Sequence, residues 1–217
     1  MKTTKYILSL TIVGLMAVGC SDNYLTQEPG GSTITQEQYD KMDDKVAGLV
    51  RGIIPNLYSH FSDGHDAFGQ RAIDMYGDLL CGDMAMKTQN YGWFASHELM
   101  QTYTVRGSLW GYYYNIIRSS NKAINAIETQ GLPELNFDLD TISEEAYTNG
   151  YYYAEALTFR GWAYSKLCNF FVPQDAEETD LSIPVYTESD TREDTIIGSP
   201  RAVVTDLYLR IETDLLD

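Results

Sequence analysis

The hydrophobic pattern predicts a protein built mainly from helices. Apolar side chains recur at steps of three and four residues, the spacing of one helix face, over 36–58 and 108–129, along a third helix that runs to about residue 171, and from 202 onwards. A shorter helix is predicted over 73–80. We expect Pro55 to kink or end the first helix, because proline cannot donate a backbone hydrogen bond. Gly131 and Pro133 are expected to end the second helix.

Each helix has a stripe of side chains that we expect in the core. Small residues at Ala156 and Ala163 would allow a neighbouring helix to approach closely. Asn121 lies beside the stripe of the second long helix, so its amide must find hydrogen-bond partners. In chain order, the four stripes are Tyr39, Met42, Val46, Leu49, Ile53 and Leu57; Trp110, Tyr113, Ile117, Ile124 and Ile127; Tyr152, Ala156, Phe159, Ala163, Leu167 and Phe170; and Val204, Leu207, Ile211 and Leu215.

Long polar segments separate the predicted helices. Residues 82–92 are predicted as a loop, 134–149 as an acidic connector and 172–201 as a second acidic loop with three prolines. Every predicted element is therefore helical, and the helices follow one another in pairs. This order is typical of antiparallel helix hairpins stacked as in a tetratricopeptide solenoid, although the repeats are not similar to one another in sequence.

The N-terminus has the features of an export signal. Lys2 and Lys5 precede an uncharged apolar run over 6–18, which is too short to span a bilayer. A buried N-terminal helix is the alternative, but the run lacks the polar alternation of such a helix. The sequence Ala-Val-Gly-Cys ending at Cys20 resembles a bacterial lipobox, in which the cysteine carries the lipid. We therefore predict a signal peptide over 1–19, a lipid-anchored tether over 20–35 and a helical domain over 36–217.

Charge excludes one class of partner. Cleavage before Cys20 removes two of the 15 basic residues, which leaves 13 against 31 acidic ones. Such an acidic surface repels phosphate backbones, so no nucleic acid is expected to bind. Cys81 and Cys168 could form a disulfide in an oxidising compartment, but the interpretation we favour is two buried free thiols.

Several segments together resemble the SusD/RagB-like nutrient-binding lipoproteins of Bacteroidetes. The match is carried by CSDNYLTQEPGGSTITQEQY, LWGYYYNIIRSSNKAINAIE, YAEALTFRGWAYSKLCNFF, IPVYTES and VVTDLYLRIETDLLD. In the third segment, the family's helix pattern falls on Glu155, Ala156, Arg160, Tyr164 and Leu167. Ser21 and Asp22 are similar to the signal that sorts such lipoproteins to the outer face of the outer membrane.

The resemblance implies a mostly α-helical fold with four tetratricopeptide-like helix pairs. It also implies an outer-membrane lipoprotein that caps a SusC-like TonB-dependent transporter and captures glycans, or peptides in some members. Family members are more than twice as long, so we expect this chain to be an N-terminal portion in which a complete binding site is doubtful.

The best candidate binding site is the loop that follows Cys81. Sugar-binding surfaces need aromatic faces beside carboxylates or amides, and this loop contributes ligand contacts in the family that the chain resembles. We hypothesise that Trp93, with Tyr91 beside it, stacks on a sugar ring, while Asp83 or Asn90 binds hydroxyl groups. The alternative is that Trp93 only packs the loop onto the helices.

Other polar clusters give weaker signals. His60, Asp63, His65 and Asp66 could bind a metal, but their spacing matches no zinc motif and favours a polar turn. His97 begins like a metalloprotease helix, but the second histidine is missing.

Arg160 is expected to pair with a carboxylate on another helix, because Glu155 is five residues away and faces elsewhere. We predict no cofactor, and nothing in the sequence supports a structural calcium ion.

Three functions compete at this stage. The first is glycan capture without enzymatic activity, which we favour. The others are a helical scaffold that binds a protein, chiefly the transporter, and a surface hydrolase that uses carboxylates. No distinguishable catalytic pair supports the hydrolase, since acidic loops are usually solvated surfaces.

Overall fold

The computed structural model describes residues 45–59, 69–85, 104–131, 143–189 and 198–216. From Val46 onwards these residues belong to one compact unit. The helices are α1 (Lys45–Arg51), α2 (Ile53–Ser59), α3 (Gly69–Cys81), α4 (Thr104–Thr129), α5 (Glu144–Phe171) and α6 (Val204–Leu216), and the strands are β1 (Leu181–Pro184) and β2 (Arg201–Val203). The mostly helical fold is therefore confirmed.

The first predicted helix is divided into two in the part that is described. The division lies at Gly52, whose backbone N–H donates to the carbonyl of Gly48 at 3.0 Å. Pro55 lies in the first turn of α2, where a helix tolerates the missing N–H. We expected Pro55 to kink or end the helix, but the interruption lies at Gly52 and the helix continues past the proline. Proline leaves the carbonyl four residues earlier without its usual donor, so the interruption falls one turn before it.

Helix α3 is longer than predicted and has glycine at both boundaries. Gly69 begins the helix with φ of 54°, and a Cβ there would collide with the carbonyl oxygen of Leu57. Gly82 follows the helix with φ of 81°, the left-handed conformation that commonly ends helices. Its apolar face buries Ile73, Tyr76 and Leu79.

Helices α4 and α5 form an antiparallel hairpin. Tyr153 donates to Glu128 near one end of the pair, and the Tyr113 ring packs against Trp162 near the other. The two helices therefore run in opposite directions. Ala156 and Ala163 are fully buried, as expected for small residues at a close helix approach. The hairpin predicted from the sequence is confirmed.

Two hydrophobic clusters pack against this hairpin. One lies nearer the start of α4 and the end of α5, and the other lies nearer the end of α4 and the start of α5. The larger cluster joins α2, α3, α4, α5, β1 and α6, and the smaller one joins α1 to α4 and α5. The predicted stripe of α4 holds: Tyr113, Ile117, Ile124 and Ile127 are buried and Trp110 packs against the core. The stripe of α5 is buried at Ala156, Ala163 and Leu167, whereas Phe170 is 37% exposed.

The predicted stripe of α6 is wrong at its last position. Val204 and Leu207 are buried as expected, but Leu215 is 50% exposed while the neighbouring Asp214 is 3% exposed. Positions 214 and 215 both fall near the same helix face. Hydropathy favoured the leucine, whereas an ion pair with α5 brings the aspartate inward.

The segment 172–201, predicted as a loop, contains strand β1 and leads into strand β2. They pair antiparallel with Leu181 opposite Val203 and Pro184 opposite Arg201. The statement that every element is helical was therefore wrong. Strands of three and four residues are too short to give an alternating pattern, and Pro184 is typical of a sheet edge.

None of the helices in the described part of the chain has both the length and the apolarity needed to cross a membrane.

Candidate functional site

A buried arginine forms the main polar cluster of the described structure. The guanidinium of Arg160 on α5 donates through Nε and Nη2 to the two carboxylate oxygens of Asp214 on α6, at 2.8 and 2.7 Å. Its Nη1 donates to Asn121 Oδ1 at 2.8 Å and to Glu188 Oε2 at 2.7 Å. Arg160 is 2% exposed and the Asp214 side chain is 0% exposed, so this pair interacts at low dielectric, whereas the Glu188 side chain is 25% exposed.

The electrostatics favour the charged forms of Arg160 and Glu188. Burial alone lowers the pKa of Arg160, but the hydrogen bonds and charges of Asp214 and Glu188 outweigh it and raise the pKa above the ordinary value. Burial likewise acts to raise the pKa of Glu188, but its own backbone N–H and Arg160 outweigh that effect, so the pKa is lowered. The predicted pairing of Arg160 with a carboxylate on another helix is confirmed.

Next to Arg160, the segment Pro184–Glu188 crosses the α4–α5 hairpin, from the last residue of β1 to a turn at Glu188. We call this segment the strap, and the surface of α4 and α5 that it covers the α4–α5 groove. Tyr114 donates its hydroxyl to the Pro184 carbonyl at 2.6 Å. Tyr164 donates to the Tyr186 carbonyl at 2.9 Å and accepts from the Tyr186 N–H at 2.7 Å. Asn121 donates its amide to the Thr187 carbonyl at 3.0 Å. The requirement that Asn121 find partners is therefore met by the strap and by Arg160.

Tyr114 and Tyr164, which donate hydrogen bonds to the strap, are protonated at neutral pH. Burial is the largest cause that raises the pKa of Tyr114, and the nearby Tyr164 and Tyr186 raise it further. Burial also raises the pKa of Tyr164, against the lowering effect of its hydrogen bond with the Tyr186 backbone. Their hydroxyl groups therefore act as hydrogen-bonding groups and not as bases.

Among the residues predicted to bind a ligand, the structure describes Asp83. It lies immediately after Gly82, which ends α3, and its side chain is exposed. The following N–H, that of Met84, donates back to the Asp78 carbonyl at 3.1 Å, so the first residues of the loop are fixed to the helix. Asn90, Tyr91 and Trp93 lie outside the described residues, as does the lipid-anchor candidate Cys20.

An open cleft of about 460 Å³ lies beside the small sheet. It is lined by Pro173, Asp175, Ala176, Asp180, Leu181 and Arg201. Arg201 donates to the carbonyls of Ser182 and Leu181, and Asp180 accepts from the Glu177 N–H at 2.9 Å. These side chains are committed to local structure, and none of the lining residues is aromatic, so the cleft offers no stacking surface for a sugar ring.

The two cysteines of the described structure are free thiols. Cys168 is buried, as expected, with its sulfur 3.7 Å from the Tyr208 hydroxyl. Cys81 is exposed, so its predicted burial was wrong. It is the last residue of α3, where the helix reaches solvent.

The described residues contain no group of three His, Cys, Asp or Glu side chains that could hold a metal ion. The candidate cluster His60, Asp63, His65 and Asp66, and also His97, lie outside the described residues.

Sequence reasoning missed the partners that give the arginine cluster its shape. Asp214, Glu188 and Tyr114 were not placed in any predicted site. A signal for Asp214 was present, since it lies seven residues after Leu207 on the buried stripe of α6. No comparable signal existed for Glu188, because its position depends on where the strap folds.

Comparison with known proteins now places the chain in a family. The SusD-like family model described as "Starch-binding associating with outer membrane" matches residues 24–217. The chain therefore belongs to the SusD-like family, which confirms the resemblance found in the sequence.

Two individual proteins are similar to this chain. A SusD-like protein of Bacteroides ovatus is 23% identical over 167 residues, which are 77% of this chain and 27% of that protein. A presumed sugar-binding protein of Bacteroides vulgatus, known from a crystal structure at 1.90 Å resolution, is similar in fold, with a TM-score of 0.59 and 20% identity. That match covers 80% of this chain and 35% of the crystallised chain. The chain thus spans about a quarter and about a third of these two relatives.

Proposed function

We propose that this chain is part of an outer-membrane lipoprotein that binds glycans and delivers them to a SusC-like TonB-dependent transporter. The observation that carries the proposal is the family match over residues 24–217, because that family is described as starch-binding and outer-membrane associated. The presumed sugar-binding function of the Bacteroides vulgatus protein, which shares the fold, supports it. In this proposal the protein is a binding protein and not an enzyme.

The glycan site that we propose is the loop that begins at Asp83. Trp93 and Tyr91 would stack on sugar rings, and Asp83 with Asn90 would bind hydroxyl groups. Two facts support Asp83 in this role: its carboxylate is exposed, and the Met84 N–H holds the start of the loop against α3. A fixed backbone lowers the entropy cost of presenting a carboxylate to a ligand.

Binding is tested with the protein expressed from its own gene, by affinity electrophoresis in gels that contain starch or another polysaccharide. We expect the wild-type protein to be retarded and Trp93→Ala to lose most of the retardation. Tyr151→Ala is the control for loss of an exposed aromatic ring, since Tyr151 is 58% exposed on α5. Unchanged retardation of Trp93→Ala would exclude the proposed site. Absence of retardation of the wild type on every polysaccharide would contradict glycan binding and favour the protein scaffold.

Asp83→Asn is compared with Asp78→Asn, which changes an exposed carboxylate near the end of α3, shortly before the loop. The proposal expects weaker binding for Asp83→Asn alone. Equal affinities for the two variants would remove Asp83 from the site. Release of reducing ends by the wild-type protein would contradict the absence of enzymatic activity.

The proposed anchor is lipid attached at Cys20, and the proposed partner is the transporter. Labelled palmitate should enter the wild-type polypeptide and not a Cys20→Ser variant. The transporter should be recovered with the wild-type protein from detergent-solubilised outer membranes. Equal labelling of both forms would contradict the anchor, and consistent absence of the transporter would contradict the partner.

A further inference from the structure

The α4–α5 groove holds the strap in the way that a receptor holds an extended peptide. Four backbone atoms of the strap are hydrogen-bonded by side chains of the two helices: the carbonyls of Pro184, Tyr186 and Thr187, and the N–H of Tyr186. These contacts do not depend on which side chains the strap carries. The exception is Glu188, whose carboxylate is bound by Arg160.

The strap lies on the surface of the core. Val185, Tyr186, Thr187 and Glu188 are each partly exposed, whereas Ile183, just before the strap, is 2% exposed and belongs to the main cluster. The Tyr186 ring contacts Tyr114, and its hydroxyl accepts from the Ser199 N–H at 3.2 Å. The strap can therefore leave the groove while Ile183 stays in the core. Opening breaks the packing of Val185 against the main cluster and the contact of the Tyr186 ring with Tyr114, while the buried side chains of the core stay in place. Partly exposed segments of this kind open before the rest of a protein.

The arginine cluster lowers the electrostatic cost of this opening. When Glu188 leaves, Arg160 keeps both hydrogen bonds to Asp214 and its bond to Asn121. The buried cation is never left without a counter-charge, which is the situation that makes breaking a buried ion pair costly. The departing Glu188 side chain is already 25% exposed and is readily hydrated.

We propose that the α4–α5 groove is a binding site for an extended acidic peptide, kept closed in cis by the strap. Tyr114, Tyr164 and Asn121 recognise the peptide backbone, and Arg160 recognises an acidic side chain. A peptide from another protein would have to compete with the tethered strap, whose effective concentration is high because the tether is short. This proposal is independent of the glycan site at Asp83.

The first experiment measures binding in trans by fluorescence anisotropy. The probe is a fluorescein-labelled peptide, Ile-Pro-Val-Tyr-Thr-Glu-Ser, which copies residues 183–189. Glu188→Ala weakens the binding of the strap to the groove and leaves the groove intact. We therefore expect this variant to bind the peptide about tenfold more tightly than wild type, because the strap loses one charge-assisted hydrogen bond.

A second peptide, with Gln in place of Glu, serves as the ligand control and should bind the Glu188→Ala variant several-fold more weakly. Equal affinity of wild type and Glu188→Ala for the acidic peptide would overturn the proposal. Equal affinity of the Glu188→Ala variant for the Glu and Gln peptides would also overturn it, because the carboxylate of the peptide would then not be bound by Arg160.

The second experiment measures opening of the strap by hydrogen exchange. In Glu188→Ala the amides of 185–188 should exchange about tenfold faster than in wild type, while those of α4 and α5 change less than twofold. Acceleration by one common factor in strap and helices would overturn the proposal, since the strap would then open only with global unfolding. Loss of the helical circular dichroism in Glu188→Ala would overturn it for the same reason.

Discussion

Arg160 and Asp214 form a bidentate ion pair between α5 and α6, with Nε–Oδ2 and Nη2–Oδ1 distances of 2.8 and 2.7 Å. The two side chains are 2% and 0% exposed. The two groups are 54 residues apart in the sequence and join the last helix to the central hairpin. This ion pair decides which face of α6 is turned toward the core, because it draws Asp214 inward where the sequence pattern predicted Leu215.

The first prediction concerns the stability of this pair. Arg160→Met or Asp214→Leu alone should lower the free energy of unfolding by up to about 3–5 kcal/mol, because each removes the main partner of a buried charge. Arg160 would keep the partly exposed Glu188, and Asp214 the partly exposed Arg210. The double variant should lose less than the sum of the two, since neither charge then remains. Urea denaturation of the four proteins gives the coupling energy directly.

Arg210→Met is the control for this cycle. Arg210 lies 3.4 Å from the same carboxylate but is 25% exposed. Its removal should cost less than about 1 kcal/mol, as is usual for a solvated pair. Additive losses in the Arg160–Asp214 cycle would show that the pair is not coupled.

The second prediction concerns close packing between α5 and α6. A Cβ at Gly161 would lie 3.0 Å from Leu215 Cγ and 3.1 Å from Asp214 Cβ, which forces α6 outward. Gly161→Ala should therefore destabilise the protein by about 1–3 kcal/mol, in spite of the higher helix propensity of alanine. Thermal unfolding followed by circular dichroism measures the change.

Gly111→Ala in α4 is the matched control. Nothing lies within 4 Å of the Cβ that it would add. This variant should gain up to about 1 kcal/mol from helix propensity alone. A stabilised Gly161→Ala variant would contradict the close approach of the two helices.

The third prediction concerns pH. The pKa of Glu188 is lowered in the folded protein, so its contribution to stability is present above its unfolded pKa and is lost as the pH falls through the folded value. The wild type should therefore be more stable than Glu188→Gln at pH 7, and this difference should shrink as the pH falls below about 4. Urea midpoints for both proteins across this range test it, and a difference independent of pH would refute it.

The fourth prediction concerns thiol reactivity. In a protein with Cys20→Ser, Cys81 should react rapidly with Ellman's reagent because it is exposed, and Cys168 should react only after denaturation. The expected count is one fast thiol in the native protein and two in urea. Cys81→Ser should abolish the fast phase, and a native protein with no reactive thiol would contradict the two free cysteines.

The long helices show how much could be predicted from the sequence. The stripe of α4 recurs at steps of three, four and seven, and its buried residues were identified because a long helix averages out local exceptions. The break at Gly52 and the two short strands were not predicted in this way. The break depends on the local backbone around Gly52 and Pro55, and the strands depend on pairing with a distant part of the chain. A segment of three or four residues is also too short for periodicity to show.

The sequence by itself determined the helical composition, the antiparallel hairpin of α4 and α5, the family, and the need of Arg160 and Asn121 for polar partners. Only the tertiary structure decided which partners they have, that the strap lies across the hairpin, and that Asp214 and not Leu215 faces inward. The physical reason is that periodicity reports which face of a helix is buried. The choice between neighbouring residues on that face depends on charges and carbonyls that folding brings from elsewhere in the chain.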